Sequence, residues 1–425
     1  MPAPAVISIP YGDTTIDIAI PTGHPVHVLA PRPALPAPNP AAEIRRALAN
    51  PIAAAPLAQA ARGARQVVIA ADDLTRQTPV EIIIPILLDE LNRAGVPDGD
   101  ICVLIALGTH RPMSEGEMLA HFGPEVMRRV RVVNNPWQDP AQMVDLGVTG
   151  NGTPLEVSRM ALETDFLIGV GSIVPHHIPG YSAGGKIVQP GLSGAATTGA
   201  THYLSTRTRR SYLGLAENPV RQEIDQIAAR VGLKAVLNVV LNPDGSLVRA
   251  FYGDFIQAHR AGVEVSRQVN GAEFEAQADI VIAGSHPCDI EFWQAHKSLY
   301  PADMAVKEGG TIIVVTPCPE GVSVTHQGML AFTALDAAQI QSLIEDGTIA
   351  DRVSGALALA WAKVRQRASV YLVSGGISPV EARQLAFEPF ADVQEALAAA
   401  LQRHGAGASI NILPYAPDTL PILKG

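Results

Sequence analysis

The feature that most restricts the fold of this sequence is the alternation of short apolar runs with amphipathic helical segments. The predicted strands are residues 66–70, 101–106, 129–133 and 165–170, and the predicted helices are 81–93 and 115–121, the latter capped by Ser114. Strands that are apolar along their whole length are buried on both faces, as in parallel sheets covered by helices. The sequence therefore predicts an α/β fold.

A second series of the same kind begins after Asn270-Gly271. Its strands are predicted at residues 279–283, 311–315, 370–373 and 410–413, with helices near 291–308, 355–367 and 393–403. Between the two series we expect a hairpin within residues 234–252, around the turn Asn242-Pro243-Asp244-Gly245, and a helix at 255–268. The proline-rich first fifty residues predict a small antiparallel element, near 15–20 and 26–29, and a connector at 31–40.

The length of 425 residues exceeds what one hydrophobic core usually serves, so two domains are expected. We place the N-terminal domain at residues 1–271 and the C-terminal domain at 272–414, with a tail at 415–425 that packs back on the first domain. Each domain is predicted to be Rossmann-like, a mostly parallel sheet flanked by helices. The active site is then expected in the cleft between the domains.

Charge and cysteine content exclude several kinds of partner and site. The net charge of -10 opposes binding to nucleic acid or to anionic membranes, which requires a basic surface. The three cysteines, Cys102, Cys288 and Cys318, lack the paired spacings of zinc and iron-sulfur sites. No signal-like start and no apolar stretch of roughly 20 residues is evident, which predicts a cytoplasmic protein with small-molecule partners and no membrane segment.

Polar residues are concentrated directly after three of the predicted strands. They are Asp72-Asp73-Leu74-Thr75-Arg76, then Gly108-Thr109-His110-Arg111-Pro112-Met113, and a glycine-rich segment from His176-His177 to Gly184-Gly185-Lys186. Because ligands of open parallel sheets bind beyond the carboxyl ends of the strands, these side chains are expected to meet in one crevice. Each also has an ordinary explanation: Asp72 or Asp73 could cap the next helix, and a single His110 is more often structural.

Two familiar nucleotide-binding motifs are present only in part. The segment 169–174 begins like a dinucleotide fingerprint, but a valine stands at its third glycine position and a proline follows. The segment 180–186 has the spacing of a phosphate-binding loop, but Ile187 replaces the residue that would hold magnesium, and Pro190 disfavours a long helix. A nicotinamide-dependent enzyme and an ATPase are therefore disfavoured, although glycine amides beside a lysine suit a nucleotide phosphate.

A further histidine, His202, lies in a helix-like segment at residues 195–205. A neutral imidazole is a good nickel ligand, whereas the sequence has no cysteine cluster or His-x-x-x-His pair from which a purely protein-built metal site could be made. Taken alone, a helical histidine is more often packed or exposed than a metal ligand.

Together these motifs resemble the nickel-dependent lactate racemase family across nearly the whole chain. The matching residues are Asp-Asp-x-Thr-Arg at 72–76, Gly-Thr-His-Arg-Pro-Met at 108–113, His176 with Lys186 ten residues later, His202, and Phe-Trp-Gln-Ala-His-Lys at 292–297. The combination is much more specific than any one of these motifs.

The resemblance implies a nickel-pincer nucleotide, pyridinium-3-thioamide-5-thiocarboxylic acid mononucleotide, as cofactor on the N-terminal domain. Lys186 would carry the covalent thioamide link, and His202 would complete a sulfur-rich square-planar nickel site. Further cofactor contacts are predicted for Asp73, Thr75 and the amides of Gly184 and Gly185. Since other proteins must make and deliver this cofactor, biosynthesis and delivery proteins are implied partners.

The resemblance also implies an isomerase that inverts C2 of a 2-hydroxy acid, with His110 and His176 as alternating acid and base. One histidine would remove the hydroxyl proton as hydride leaves C2 for the cofactor, giving a flat 2-keto acid that can receive hydride on its opposite face. The other histidine would protonate the product. Imidazole suits this task because its ordinary pKa of about 6.5 lets it accept and donate protons near neutral pH.

Substrate binding is implied for Arg76, Trp293, Gln294 and Lys297, the two cations holding the carboxylate and Gln294 donating a hydrogen bond. Trp293 stands where the lactate-type pattern has a tyrosine, which leaves bulkier or more polar acids (malate-like, aryl-lactate-like or sugar-acid) as alternatives to lactate. The sequence assigns no role to His177.

Two hypotheses from other classes stay open at this stage. A nicotinamide-dependent 2-hydroxyacid dehydrogenase would consume or produce NADH. A non-catalytic nucleotide-binding protein would keep its function after His110→Ala and His176→Ala.

Overall fold

The computed structural model describes residues 5–424, and its elements follow the predicted alternation. The strands are β1 (Ala5–Tyr11), β2 (Thr14–Ile20), β3 (Val26–Val28), β4 (Val67–Ala71), β5 (Ile101–Ile105), β6 (Arg131–Asn134), β7 (Met143–Val148), β8 (Pro154–Ser158), β9 (Phe166–Ser172), β10 (Pro175–His176), β11 (Gly180–Tyr181), β12 (Leu233–Leu241), β13 (Leu247–Gly253), β14 (Gly271–Phe274), β15 (Ala278–Gly284), β16 (Val306–Val315), β17 (Ser369–Val373), β18 (Glu388–Phe390), β19 (Ile410–Leu413) and β20 (Leu420–Leu423). The helices are α1 (Pro40–Ala49), α2 (Leu57–Ala60), α3 (Val80–Arg93), α4 (Glu115–Arg129), α5 (Arg159–Leu162), α6 (Ala195–Ser205), α7 (Pro219–Val231), α8 (Gln257–Asn270), α9 (Phe292–Ala295), α10 (Leu299–Ala305), α11 (Ala337–Glu345), α12 (Arg352–Arg367), α13 (Pro379–Gln384) and α14 (Val393–His404).

The first sheet has the strand order β13-β12-β9-β4-β5-β6. All its neighbours are parallel except the edge pair β12 and β13, which is the predicted hairpin. Alternate residues of the central strand enter two different cores, Ile69 on the face covered by α3 and Val68 on the face covered by α7 and α8. Burial on both faces explains why the strand is apolar along its whole length.

The second sheet has the order β18-β17-β16-β15-β19-β3 and is parallel throughout. One face packs against α10 and α12, and the other against α14 and the β1-β2 hairpin. Two sheets of this kind confirm the predicted α/β class.

The start of the chain belongs to the second sheet, which differs from the predicted domain division. The pairing of Val26–Val28 with β19 makes β3 an edge strand there, and Ile9 and Ile18 of the β1-β2 hairpin are buried against the same sheet. The predicted division assigned residues 1–271 to the first domain. The sequence of a short strand does not identify its partner strand, so the pairing of β3 with residues 410–412 could not be predicted. The boundary near residue 271 stays a prediction.

The single helix predicted at residues 291–308 is wrong in its form. The segment consists of α9, a 3-10 turn at His296–Ser298 and α10, and residues 306–308 already belong to β16. Val306 has extended backbone angles, so the helix stops at Ala305. β-branched residues and glycines after this point favour the strand over further helical turns.

The C-terminal tail contacts both domains of the protein. β20 pairs in parallel with β14, and a Cβ placed on Gly214 would lie 2.4 Å from Leu420. The tail thus packs on residues of the first domain, and it also belongs to the core under the second sheet. In residues 5–424, no helix combines the length and apolar composition that a membrane crossing requires.

Candidate active site

A cavity lies at the carboxyl ends of β4, β5 and β9, facing α9 of the second domain. It is lined by nine of the residues singled out in the sequence: Asp73, Arg76, His110, His176, Lys186, His202, Trp293, Gln294 and Lys297. These residues are up to 224 positions apart along the chain (73 to 297), so the fold brings the separate motifs to one place.

His110 is held between an acid and an amide. Its Nδ1 lies 2.6 Å from Oδ2 of Asp73, and its Nε2 lies 2.9 Å from Nε2 of Gln294. Burial alone would raise the pKa of Asp73, but the opposing effects of His110, Arg76 and the Thr75 hydroxyl are larger together, so the pKa lies below its ordinary value. This carboxyl therefore stays ionised near neutral pH. Nδ1 of His110 must then donate to Asp73, which leaves its Nε2 as an acceptor facing the cavity.

The amide of Gln294 has only one orientation that satisfies its neighbours. Nζ of Lys297 donates to its Oε1, so its NH₂ group must point to Nε2 of His110. Burial and the nearby Arg76 lower the pKa of Lys297 to about 8, which keeps most of this amine protonated at pH 7. The second domain thus fixes the basic nitrogen of a histidine that belongs to the first.

His176 carries its exchangeable proton on the opposite ring nitrogen. Its Nδ1 accepts from the backbone N–H of Ile178 at 3.2 Å, so the neutral ring has its proton on Nε2. Burial, Lys186, His177 and other nearby cations hold the pKa of His176 well below 6.5. The cavity therefore has one imidazole whose free nitrogen accepts a hydrogen bond and another whose free nitrogen donates one.

Two cations line the cavity without a carboxylate partner. Among residues 5–424, no acidic oxygen lies within 4.0 Å of a charged nitrogen of Arg76 or Lys297. NH1 of Arg76 donates to the backbone and the hydroxyl of Thr75, which orients the guanidinium. The arrangement suits an incoming carboxylate, which could accept from both groups.

Lys186 enters the cavity from a short 3-10 turn, Gly184–Ile187. The turn follows the β10-β11 hairpin, where Gly180 has φ +83° and a Cβ would lie 1.9 Å from the carbonyl oxygen of Leu215. Burial, with the charges of Arg76 and Lys297, lowers the pKa of Lys186 well below 10.5. A neutral amine is the nucleophilic form of lysine and the form that can be acylated.

His202 lies on α6 and has a buried Nδ1 without a hydrogen-bond partner in the described part of the chain. Burial and Lys186 lower its pKa to about 3, so the imidazole is neutral and its nitrogens can bind a metal. An unsatisfied imidazole and a neutral amine in one large cavity fit a metal-bearing group attached through the lysine. Across residues 5–424, no three or more His, Cys, Asp or Glu side chains are grouped so as to hold a metal.

Three predicted cofactor contacts lie outside this cavity. A Cβ built on Gly184 would lie 2.8 Å from His259, and one built on Gly185 would lie 2.8 Å from Asp225. The backbone N–H of Gly184 already donates to Asn238. Thr75 donates its hydroxyl to Asp73 and lines a neighbouring cavity. Their contact with a cofactor stays a prediction, and the visible role of the two glycines is close packing.

An aromatic cluster beside His176 was not predicted. The ring of His177 is stacked between His176, at 4.6 Å, and Tyr300, at 3.9 Å, and the edge of His296 contacts it at 5.0 Å. Trp293 is stacked in the same way on His326, at 3.9 Å. The local signals were the adjacent His176-His177 pair and His296 within the 292–297 motif, whereas Tyr300 comes from the second domain without a motif of its own.

The partial dinucleotide fingerprint has a structural explanation. Residues 169–172 lie inside β9, so they do not form a turn before a helix. Gly169 leaves room for Ile187, whose Cγ2 would lie 2.6 Å from an added Cβ, and Gly171 leaves room for Asp72. These glycines allow the lysine-bearing turn to pack closely on the sheet.

Ionic and polar contacts hold the two domains together beside the cavity. Arg111 binds Glu117 on its own domain and Glu320 on the other through paired hydrogen bonds. His326 lies 3.2 Å from the hydroxyl of Thr109. The segment after β5 is thus fixed to the second domain on both sides of His110.

Comparison with known proteins gives two consecutive family matches. The family model described as the lactate racemase N-terminal domain matches residues 11–214, and the one described as the lactate racemase C-terminal domain matches residues 274–419. The first match includes residues 11–28, of which β3 is a strand of the second sheet and β2 packs against that sheet.

Two curated relatives are similar over most of the chain, and both are named lactate racemase. The protein of Lactiplantibacillus plantarum is 29% identical over 384 residues, which is 87% of this chain and 88% of the relative. The protein of Thermoanaerobacterium thermosaccharolyticum is 31% identical over 324 residues, 75% of each chain. The solved lactate racemase apoprotein from the latter organism superposes with a TM-score of 0.87 at 27% identity, covering 98% of this chain and 100% of that one.

Proposed function

The chain belongs to the lactate racemase family, and from this we propose that it interconverts the two configurations at C2 of a 2-hydroxy acid, as a racemase or epimerase. The chain is accordingly an isomerase. The family uses a nickel cofactor, and we infer that the form used here is the nickel-pincer nucleotide bound to Lys186. Lactate, the acid named for the relatives, is the first substrate to assay.

The observation that carries this proposal is the presence of two differently protonated imidazoles in one cavity with two unpaired cations. We assign Arg76 and Lys297 to the substrate carboxylate, with Gln294 donating beside them. A substrate whose carboxylate is held in this way would have its C2 hydroxyl group within reach of the catalytic histidines. Positioning of this kind makes proton transfer effectively intramolecular.

Proton transfer is assigned to His110 and His176. We assign Nε2 of His110, the nitrogen left as the acceptor of the ring by the Asp73 contact at Nδ1, to accept the hydroxyl proton of one enantiomer in place of the Gln294 amide. We assign to His176 the proton transfer at the oxygen of the opposite enantiomer: its ring gives up a proton only after it has itself been protonated, and so returns to the neutral form. A positioned acid or base typically contributes about 10²–10⁴ to the rate, so the loss of either histidine should be severe.

The cofactor would be held by Lys186, through a covalent link, and by His202, through a nitrogen on the metal. When bound, it would supply a reversible acceptor for the hydrogen of C2. The chain places the site between its two domains, which the Arg111–Glu320 contact joins beside the cavity. Exclusion of water protects a reactive keto acid from side reactions.

The test uses protein produced together with the cofactor-maturation proteins. Chiral chromatography of an enantiopure 2-hydroxy acid should show inversion, and intact mass and metal analysis should show a modified Lys186 and nickel. His110→Ala and His176→Ala should each lower kcat/KM by about 10³, equally in both directions, because no catalyst can change the equilibrium constant. Unmodified lysine and absent nickel in matured protein, or full activity of both variants, would contradict the proposal.

A further inference from the structure

The two catalytic histidines are held in different ways. The ring of His110 is fixed at both of its nitrogens, by Asp73 and by Gln294. In the described part of the chain, the ring of His176 makes a single hydrogen bond, which its Nδ1 accepts from the backbone N–H of Ile178 at 3.2 Å. One bond at one edge leaves the plane of a ring free to tilt, so a second contact must keep Nε2 of His176 directed into the cavity.

The face of His177 supplies this second contact. The centroids of the His176 and His177 rings lie 4.6 Å apart, with 14° between the ring planes. His177 is 6% exposed, and burial, together with the nearby His296 and Lys297, holds its pKa well below 6.5, so its ring is neutral. Its Nε2 has no hydrogen-bond partner among the residues that the structure describes. His177 therefore contacts His176 through its ring face and not through a hydrogen bond.

The second domain covers the other face of His177. The ring of Tyr300, on α10, lies 3.9 Å from the ring of His177 and is nearly parallel to it, at 5°. His296 contacts the edge of His177 at 5.0 Å, and its Nδ1 lies 3.2 Å from the hydroxyl oxygen of Tyr300. The rings of His176, His177 and Tyr300 thus form one buried stack that crosses the boundary between the domains.

Tyr300 shares a helical face with two groups already assigned to the reaction. Gln294, Lys297 and Tyr300 are spaced three residues apart, and a 3-10 turn joins α9 to α10 between them. Residues three apart lie above one another in a 3-10 helix, whereas a continuous α-helix would offset them. One segment of the second domain therefore contacts His110 directly and His176 through His177.

We propose that His177 is a positioning residue for proton transfer, whose ring transmits the contact of Tyr300 to His176 and so keeps the Nε2 edge of His176 directed into the cavity. The inference rests on the proposed function and gives a role to the second histidine of the adjacent pair. A stacked pair favours one ring orientation by about two- to tenfold beyond what its buried area contributes. Loss of the stack should therefore lower the fraction of molecules in which both catalytic histidines are aligned.

The first test compares two substitutions of His177 in the matured enzyme. His177→Leu, of similar volume but without an aromatic face, should lower kcat about three- to tenfold and change KM less than about twofold, because His177 is not assigned to carboxylate binding. His177→Phe keeps the stack and should stay within about twofold of the wild-type kcat. Equal losses of kcat in the two variants would overturn the proposal, since the ring face would then not be what matters.

Tyr300→Leu removes the stack from the side of the second domain and should reproduce the loss of kcat. The double variant with His177→Leu and Tyr300→Leu should be about as active as either single variant, because both substitutions break the same line of contacts. Phe390→Leu breaks an aromatic pair with Tyr371 in the second sheet and is the matched control, which should leave kcat unchanged. Losses that multiply in the double variant would show that Tyr300 does not act through His177.

Hydrogen exchange separates this inference from the proposed function, because it requires neither turnover nor cofactor. The backbone N–H of Ile178 donates to Nδ1 of His176, so its exchange rate reports the orientation of that ring. In the full-length protein, this amide should exchange about three- to tenfold faster in His177→Leu than in the wild-type protein or in His177→Phe. An unchanged rate in His177→Leu would refute the positioning role. Faster exchange without inversion of any 2-hydroxy acid would support the positioning of His176 and refute only the proposed function.

Discussion

The carboxylate of Asp73 lies 2.6 Å from Nδ1 of His110, and this contact determines which nitrogen of the ring faces the cavity. Asp73→Asn removes the charge that holds the proton on Nδ1. We expect kcat to fall about 100-fold with KM changed less than about threefold, because tautomer control acts on proton transfer more than on binding. Initial rates in both directions, measured by chiral chromatography, test this expectation.

Nickel content must be equal in the two proteins, since Asp73 was also predicted to contact the cofactor. Asp98→Asn, which removes an ion pair with Arg129 outside the cavity, is the control. A loss smaller than about threefold in Asp73→Asn would show that His110 needs no such partner.

Glu320→Gln tests the contact between the domains. Arg111 keeps Glu117 as a partner, and both acids are partly exposed, so the free energy of unfolding should change by less than about 1 kcal/mol. KM should rise by up to about fivefold and become less sensitive to salt, because domain closure loses an ionic contact. Steady-state assays at low and high salt measure KM and its dependence on salt, with Glu125→Gln as the control. An unchanged KM in Glu320→Gln would argue against a role of this contact in domain closure.

Gly169→Ala tests the packing of the lysine-bearing turn. The added Cβ would lie 2.6 Å from Cγ2 of Ile187, so the turn must move or the strand must distort. A cost of about 1–3 kcal/mol is expected, together with a lower fraction of modified Lys186 by intact mass. Gly116→Ala, on a helix with nothing within 4 Å, should be neutral or slightly stabilising. Full modification at wild-type stability in Gly169→Ala would contradict this account.

Asp418→Asn should change how stability depends on pH. A carboxyl with a pKa of about 6 in the folded protein and 3.8 otherwise destabilises the fold when ionised, by up to about 3 kcal/mol. This penalty is fully present above pH 6 and disappears as pH falls to 3.8, because both states are then protonated. Relative to the wild-type protein, the variant should therefore gain stability between pH 4 and pH 8. Urea midpoints across this range measure it, and parallel curves for the two proteins would refute it.

The central strands of the two sheets and the polar motifs that line the reaction cavity were predictable because each depends on local sequence. Burial on both faces makes β4 and β9 continuously apolar, and the polar motifs follow directly after them. The capping of α4 by Ser114 was visible for the same reason, as a serine with a glutamate three residues later.

Features that depend on distant pairing could not be predicted in this way. Asp418 has no motif around it, and the burial that raises its pKa is supplied by the fold. His326 likewise acquires its place through Trp293 and Thr109. The break of the predicted helix after Ala305 depends on the pairing of the following residues with β15.

The position of β3 has a consequence for how the protein is made. Within residues 5–424 this strand, near the start of the chain, pairs only with β19, whose residues are synthesised almost 400 positions later. While the ribosome works through the intervening residues, the first sheet can assemble, but the edge of the second cannot be completed. β1 and β2 can pair with each other at once, but β3 must wait for its partner strand until translation is nearly finished, with its backbone groups bonded to water in the interval.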